Sequence, residues 1–243
     1  MKIVCLSDTH TMGPQVVVPD GDVLVHTGDH TFRGNYEETL GALRWLHSLP
    51  HKKKVIIAGN HDFYFDDNSP ETFRNWRITK PVTKHELLEH FPSIVYLEDE
   101  SYELDGVKFY GSPWQPPFYD WAFNFRDDEH AREVWGKIPQ DTQVLLTHAP
   151  PRGILDYCIG LYGDDRAGDS ELARVVGDSL PELKLHAFGH LHEGYGIDHI
   201  GETTFVNASI CTRGYEPTNA PVVIDLQKKL KAGNKPIVVD IEP

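Results

Sequence analysis

Residues 22–29 read DVLVHTGD, a short apolar run of Val23, Leu24 and Val25 that ends in a histidine, a turn and a carboxylate. Four other stretches are built the same way: KIVCLSDTH (2–10), KKVIIAGNHD (53–62), QVLLTHAPP (143–151) and KLHAFGHLH (184–192). Uninterrupted apolar runs of this length predict strands buried on both faces. Each is followed directly by Asp, His or Asn. In α/β sheets the loops beyond the carboxyl ends of the strands converge on one crevice. Five separate segments therefore deliver metal-ligand side chains to one edge.

Between the runs lie helix-period segments. YEETLGALRWLHSL (36–49) repeats Leu40, Leu43 and Leu46. TKHELLEHF (83–91) opens with Thr83 and Glu86 at capping-box spacing, and DSELARVVGDSL (169–180) starts at a plausible N-cap, Asp169. The Asp105-Gly106 pair inside YLEDESYELDGVKFYGSP (96–113) predicts a hairpin. ETTFVNASIC (202–211), APVVIDLQKK (220–229) and KPIVVDIEP (235–243) add strands near the C-terminus. Parallel and antiparallel cues together predict an α/β fold of two packed mixed sheets flanked by helices, an α-β-β-α sandwich. No Gly/Ser or Pro/Gln linker interrupts the chain, so residues 1–243 are read as a single domain.

Acidic residues outnumber basic ones 37 to 23, a formal net charge of −14. Such a surface repels phosphate backbones, which speaks against a nucleic-acid track. Clustered Asp and His invert the local sign where they hold divalent cations. The three cysteines, Cys5, Cys158 and Cys211, are scattered without a CxxC. That pattern fits a reducing compartment, and the apolar start of the chain is too short for a signal segment or membrane span. The expectation is a soluble cytoplasmic protein with no membrane contact and no evident protein partner.

Taken singly, the clusters are weak. Asp8-Thr9-His10, Gly28-Asp29 and Gly59-Asn60-His61-Asp62 have turn composition, and a lone His148 suits a strand end. Gly189-His190-Leu191-His192 is stronger, because two histidines one residue apart point the same way only from extended backbone. In this order, each after a buried strand, D-x-H, G-D, G-N-H-D, H and G-H-x-H resemble the motifs of the calcineurin-like metallophosphoesterases. The flanks YGSPWQPPF (110–118), LTHAPPRG (146–153) and HAFGHLHEGYG (186–196) are similar to the metallophosphoesterase-domain-containing subgroup, which includes cyclic nucleotide phosphodiesterases.

That resemblance implies two divalent transition-metal ions, Mn²⁺ first, with Fe or Zn²⁺ as other fits. Asp8, His10 and His192 would hold the first, Asn60, His148 and His190 the second, and Asp29 would bridge. His61 would protonate the leaving oxygen while a hydroxide shared by the metals attacks phosphorus. Some subgroup members carry glycine in place of the first His of G-H-x-H; His190 is present here, which implies a full second site. Carboxylate, imidazole and amide donors suit such borderline cations. Two of them roughly 3.5–4 Å apart clamp a phosphate for in-line attack. Only a carboxylate has two oxygens for the bridge, which selects Asp29 over its neighbours. His26, inside the strand, reads as a core or hydrogen-bonded histidine. His30 reaches either substrate or solvent, and related chains tend to have an aromatic there. Asp62 reads either as the partner that orients His61 or as a plain N-cap. Glycines 28, 59 and 189 are read as permitting sharp turns.

The aromatic stretch SPWQPPFYDWAFNF (112–125) reads as a loop pinned to the core or as a wall for a nucleobase, with Trp114 the expected stacking residue. Substrate contacts are thus assigned to Asn60, His61 and Trp114, and catalysis to His61 and Asp62. Arg152 and Arg213 are read as extra phosphate contacts or surface ion pairs, and LEDE (97–100) as a solvated edge. The leading expectation is a phosphodiesterase for small phosphoesters, foremost nucleoside cyclic phosphates. The alternatives are a phosphomonoesterase or phosphoprotein phosphatase, and a nucleotide-binding module with little turnover.

Overall fold

The computed structural model describes residues 1–67, 79–160 and 163–226. One sheet runs in the order β13 (Val222–Asp225), β1 (Lys2–Leu6), β2 (Val23–His26), β3 (Lys53–Ile56), β4 (Ile94–Tyr96). Only the β13–β1 pairing is antiparallel. The second sheet runs β11 (Gly196–Ile200), β12 (Thr203–Asn207), β10 (Leu185–Phe188), β7 (Val144–Thr147), β6 (Val107–Ser112), β5 (Glu100–Leu104), antiparallel only at its two edges. A small hairpin of β8 (Tyr157–Gly160) and β9 (Gly163–Arg166) stands apart from both.

Burial explains the unbroken apolar runs. Ile3, Cys5, Val23, Val25 and Val55 of the first sheet meet Val144, Leu146, Leu185 and Ala187 of the second in one core. The alternate residues face outward and are buried as well. Leu6, Leu24 and Ile56 lie under α1 (Tyr36–Ser48) and α2 (Lys84–Glu89), through Leu43, Leu46 and Leu87. Leu145 lies under α3 (Asp128–Trp135) and α4 (Ser170–Asp178), through Val134, Trp135, Leu172 and Val175. Each such Val, Leu or Ile contributes about 1.5–3 kcal/mol of transfer free energy, opposed by chain entropy. The layers are helix, sheet, sheet, helix, as the sequence predicts.

Local signals hold where backbone chemistry decides them. Thr83 and Glu86 close a reciprocal capping box on α2, and the Asp169 side chain caps α4. Asp105 and Gly106 both have positive φ, the geometry of a tight hairpin turn, between β5 and β6. Helix α3 is an element the periodicity does not announce. It is capped by Asp127 and buries only Ala131, Val134 and Trp135 beneath a charged face. The LEDE edge is more than solvated: Glu98 accepts from Lys84 and Tyr96, and Asp99 from Ser112 and Lys137. The expected strand at 235–243 lies outside the described residues. Among the described residues no helix is long and apolar enough to cross a membrane.

Because β1, β2, β3 and β7, β10, β12 are parallel within their sheets, the loops after them open at one end. Backbone hydrogen bonds stitch these loops together: Asp8 N donates to Gly28 O, His10 N to Asp29 O, and Gly189 N to His148 O, at 2.9–3.0 Å. Ser7 bridges to Ser209, joining one sheet to the other directly below the cluster.

Candidate metal centre

All seven residues expected as ligands come together. Among the described residues Asp8, His10 and His192 form one group, His10, Asp29 and His61 a second, and Asp8, Asp29 and His148 a third, with ligand atoms within 4.8 Å of one another in each. The His192 Nε2 lies 3.3 Å from Asp8 Oδ1 and 3.3 Å from His10 Nε2. On the other side, Asn60 Oδ1 lies 2.8 Å from His148 Nε2 and 2.9 Å from His190 Nδ1. Asp29 stands between His10 and His148, with Oδ1 3.4 Å from His148 Nε2 and Oδ2 3.8 Å from His10 Nε2.

The tautomers follow from what each ring's far nitrogen touches. His10 Nδ1 donates to Thr31 O, His148 Nδ1 to Thr27 O, and His192 Nδ1 to Thr212 O, at 2.8–3.1 Å. A carbonyl only accepts, so Nδ1 carries the hydrogen and the Nε2 lone pair points inward. His10 and His192 thus bring their Nε2 atoms within 3.3 Å of one another, a spacing that needs a proton or a cation between them. Adjacent donors around a cation with bonds of about 2.1 Å sit roughly 3.0–3.4 Å apart, which matches the 3.3 Å separations around His192 and the 3.4 Å between Asp29 and His148. The donor set fits two divalent cations. His190 differs in offering Nδ1.

Charge arrangement agrees. Burial alone would raise the Asp8 carboxyl, but the His192 hydrogen bond and nearby imidazoles hold it below its ordinary range. Asp29, also buried, is held well down by His148, His61 and His10. Burial works against a charged His148 or His192, yet Asp29 and Asp8 respectively outweigh it, and both rings are pushed up to about 9. His190, under burial and beside His148, falls to about 3. The carboxylates therefore stay ionised and call for positive charge.

Backbone strain is concentrated here. Asp8, His10, Asp29 and His190 have φ of 53°, 41°, 55° and 65°. Non-glycine residues enter this region at a cost of about 1–2 kcal/mol each, which the surrounding hydrogen bonds offset. The glycines act differently from the turn role expected of all three. Gly28 does have positive φ, +103°. Gly59 and Gly189 are there for space: a Cβ at 59 would lie 2.3 Å from Asp29 Oδ1, and one at 189 would lie 2.1 Å from Asp8 Oδ2.

His61 stands beside the bridge, its Nε2 3.9 Å from Asp29 Oδ2. Its Nδ1 donates to Phe32 O at 2.8 Å, so a backbone carbonyl orients this ring and Asp62 does not. Asp62 instead ties two loops together. Its Oδ1 accepts from Thr31 N and Thr31 Oγ1, its Oδ2 from Gly59 N, His30 N and His30 Nδ1, at 2.7–3.2 Å. His30 is accordingly withdrawn from solvent: it is buried, paired with Asp62 and stacked on His26 with centroids 4.1 Å apart. His26 is the hydrogen-bonded core histidine expected, with Nε2 3.0 Å from Thr9 Oγ1.

Trp114 is not a wall of the centre. It is half-buried against Phe123, Phe125 and His130, the pinned-loop arrangement. The rings that do approach are Trp121, 4.2 Å from His61, and Phe118, 5.9 Å from His190, in the same stretch. Phe32 and Tyr215 approach from outside it. Tyr215 and Ser209, which donates to Asp8 Oδ2 at 2.9 Å, carry no motif that announces them. Arg152 donates to Arg166 O, and Arg213 pairs with Glu193 at 3.6 Å.

A sheet sandwich whose loops gather buried carboxylate, imidazole and amide donors at one end defines a metal-binding hydrolase scaffold. The chain belongs to the calcineurin-like phosphoesterase family, whose pattern matches residues 1–194. It is similar to metallophosphoesterase domain-containing protein 1 of Homo sapiens and of Mus musculus. Identity to each is 40% over 233 residues, covering 93% of this chain and 71% of the relative. One solved chain superposes with a TM-score of 0.55 at 15% identity, over 85% of this chain and 89% of its own, and shares the fold alone. The family's chemistry is phosphoester hydrolysis with divalent metals.

Proposed function

We propose that this protein is a phosphodiesterase that acts on small phosphoesters, foremost nucleoside cyclic phosphates, with two divalent cations of which Mn²⁺ fits best. The observation that carries the reading is Asp29, with one carboxylate oxygen toward His148 and the other toward His10 and His61. Asp8, His10 and His192 would hold one cation, Asn60, His148 and His190 the other. Bound there, the cations would neutralise the phosphoester's charge and supply activated water. His61, its Nδ1 fixed by Phe32 O, presents Nε2 to the centre and hands a proton to the departing oxygen. Asp62 acts one step back, holding the Asp29 loop against the Asn60–His61 loop.

Neither candidate arginine is a free phosphate partner: Arg152 donates to Arg166 O and Arg213 pairs with Glu193. The competing reading, a nucleotide-binding module without turnover, is disfavoured by the complete set of seven ligands with His61 beside them. The test is a panel of 2′,3′- and 3′,5′-cyclic nucleotides, an aryl phosphodiester, nucleoside monophosphates and a phosphopeptide, with Mn²⁺ and with chelator-treated protein as blank. Metal-dependent hydrolysis of the diesters is expected. Binding of nucleotides with no diester turnover would favour the module, and preferential release of phosphate from the peptide would favour a phosphatase.

A further inference from the structure

The mouth of the metal centre carries rings outside the family's motifs. The Tyr215 ring centroid lies 4.9 Å from that of His10, 5.2 Å from His192 and 6.3 Å from His61. Phe32 lies 5.5 Å from Tyr215 and 5.8 Å from His61. Both rings keep open faces, Phe32 being 44% exposed and Tyr215 40%. Two large apolar rings left in water beside a polar centre mark a binding surface more than a packing need.

The backbone is strained to place one of them. Tyr215 has φ of 60°, a region that bulky side chains rarely enter. The turn is held by Tyr215 N donating to Thr212 O and Thr212 N donating to Glu216 O, both at 2.8 Å. Thr212 O also accepts from His192 Nδ1. One turn thus orients a ligand histidine and presents the ring. It lies beyond residues 1–194, the part of the chain that the family's pattern matches.

We propose that Tyr215 and Phe32 form a ring-binding subsite, on which a planar group attached to the phosphate stacks. A phosphate held among His10, His61 and His192 lies within one sugar's span of both faces, given those centroid distances. The identity of the ring as a nucleobase rests on the function proposed above; the subsite itself requires only a flat apolar group. Tyr215 is in this view a specificity residue, separate from the groups that hold metal or move protons.

Two matched pairs of inhibitors read the subsite on Mn²⁺-loaded protein: AMP against ribose 5-phosphate, and phenylphosphonate against methylphosphonate. In each pair the phosphorus group is kept and the ring removed. The parent protein should favour the ring-bearing member by on the order of tenfold, the scale of one stacking contact. Tyr215→Ala should lose most of that preference and Tyr215→Phe should keep it, with metal content measured for each variant. If Tyr215→Ala loses metal, Phe32→Leu supplies the same readout. Preference for the phenyl member alone would uphold the subsite and remove the nucleotide. Equal affinities within both pairs in the parent protein, or undiminished preference in Tyr215→Ala and Phe32→Leu, would overturn the subsite.

Discussion

Removing the Asp62 carboxylate should loosen the centre without touching a ligand. Asp62 is fully buried and accepts from three backbone N–H groups, those of His30, Thr31 and Gly59. In Asp62→Ala those donors lose their acceptor. A buried unsatisfied donor costs about 1–3 kcal/mol, so three sum to about 3–9 kcal/mol. Water entering the vacated space, and the non-additivity of neighbours, reduce the expected loss to about 3–5 kcal/mol. That is a large part of the ~5–15 kcal/mol typical of a folded domain. Urea unfolding of chelated protein measures it. Asp62→Asn keeps one accepting oxygen and should lose roughly half as much. Burial favours a neutral Asp62, but His30 and Thr31 outweigh it and hold the carboxyl below its ordinary value. A depressed folded value stabilises only while the group is ionised. The gap between parent and Asp62→Asn should therefore be full above about pH 4 and close as pH falls through the folded value. Since Phe32 O orients His61, the pH–rate profile of Asp62→Asn should keep the parent's shape. A stability loss under about 1 kcal/mol for Asp62→Ala would refute the clamp.

Metal analysis after Mn²⁺ loading and desalting should find about two equivalents per chain; Asp29→Asn should lose both, and His192→Ala should spare the Asn60 site. Loss of one equivalent only from Asp29→Asn would deny it the bridge. His61→Ala should keep its metals yet lose about 10²–10⁴ in rate on substrates with poor leaving groups, and much less on an activated aryl diester. Equal losses on both would remove its role as acid. In metal-free protein His148 and His192, pushed up to about 9, hold protons that metal must displace. Calorimetry in buffers of different ionisation heat should find proton release near neutral pH, with affinity rising up to about pH 9; pH-independent affinity would contradict that competition. Gly59→Ala, whose Cβ would fall 2.3 Å from Asp29 Oδ1 and 2.5 Å from His148 Cε1, should weaken the second metal before the first.

Strand positions, the metal-type side chains at the strand ends and the helix caps were legible in the linear chain because each depends on near neighbours. An apolar run such as VLV at 23–25 needs burial on both faces whatever covers it, and Asp29 follows that run by covalent connection. Thr83 reaches Glu86 within a single turn. Beyond the strand ends that logic fails. The direction of a side chain there is set by left-handed residues such as Asp8 and Asp29, and by hydrogen bonds between loops far apart in sequence. Asp62 lies next to His61 in the chain yet spends its carboxylate on Thr31 and His30, because packing of β2 beside β3 brings those loops within 2.7–3.2 Å. Trp114 and Trp121 share one aromatic stretch. Only the path of the loop over α3 sends the first to Phe125 and the second to His61. Tyr215 reaches the centre through the Thr212 turn, whose place beside His192 depends on β12 pairing with β10 across the second sheet. Periodicity records which face of an element is buried; which loops meet is decided by strand order and sheet packing, and those contacts span the whole chain.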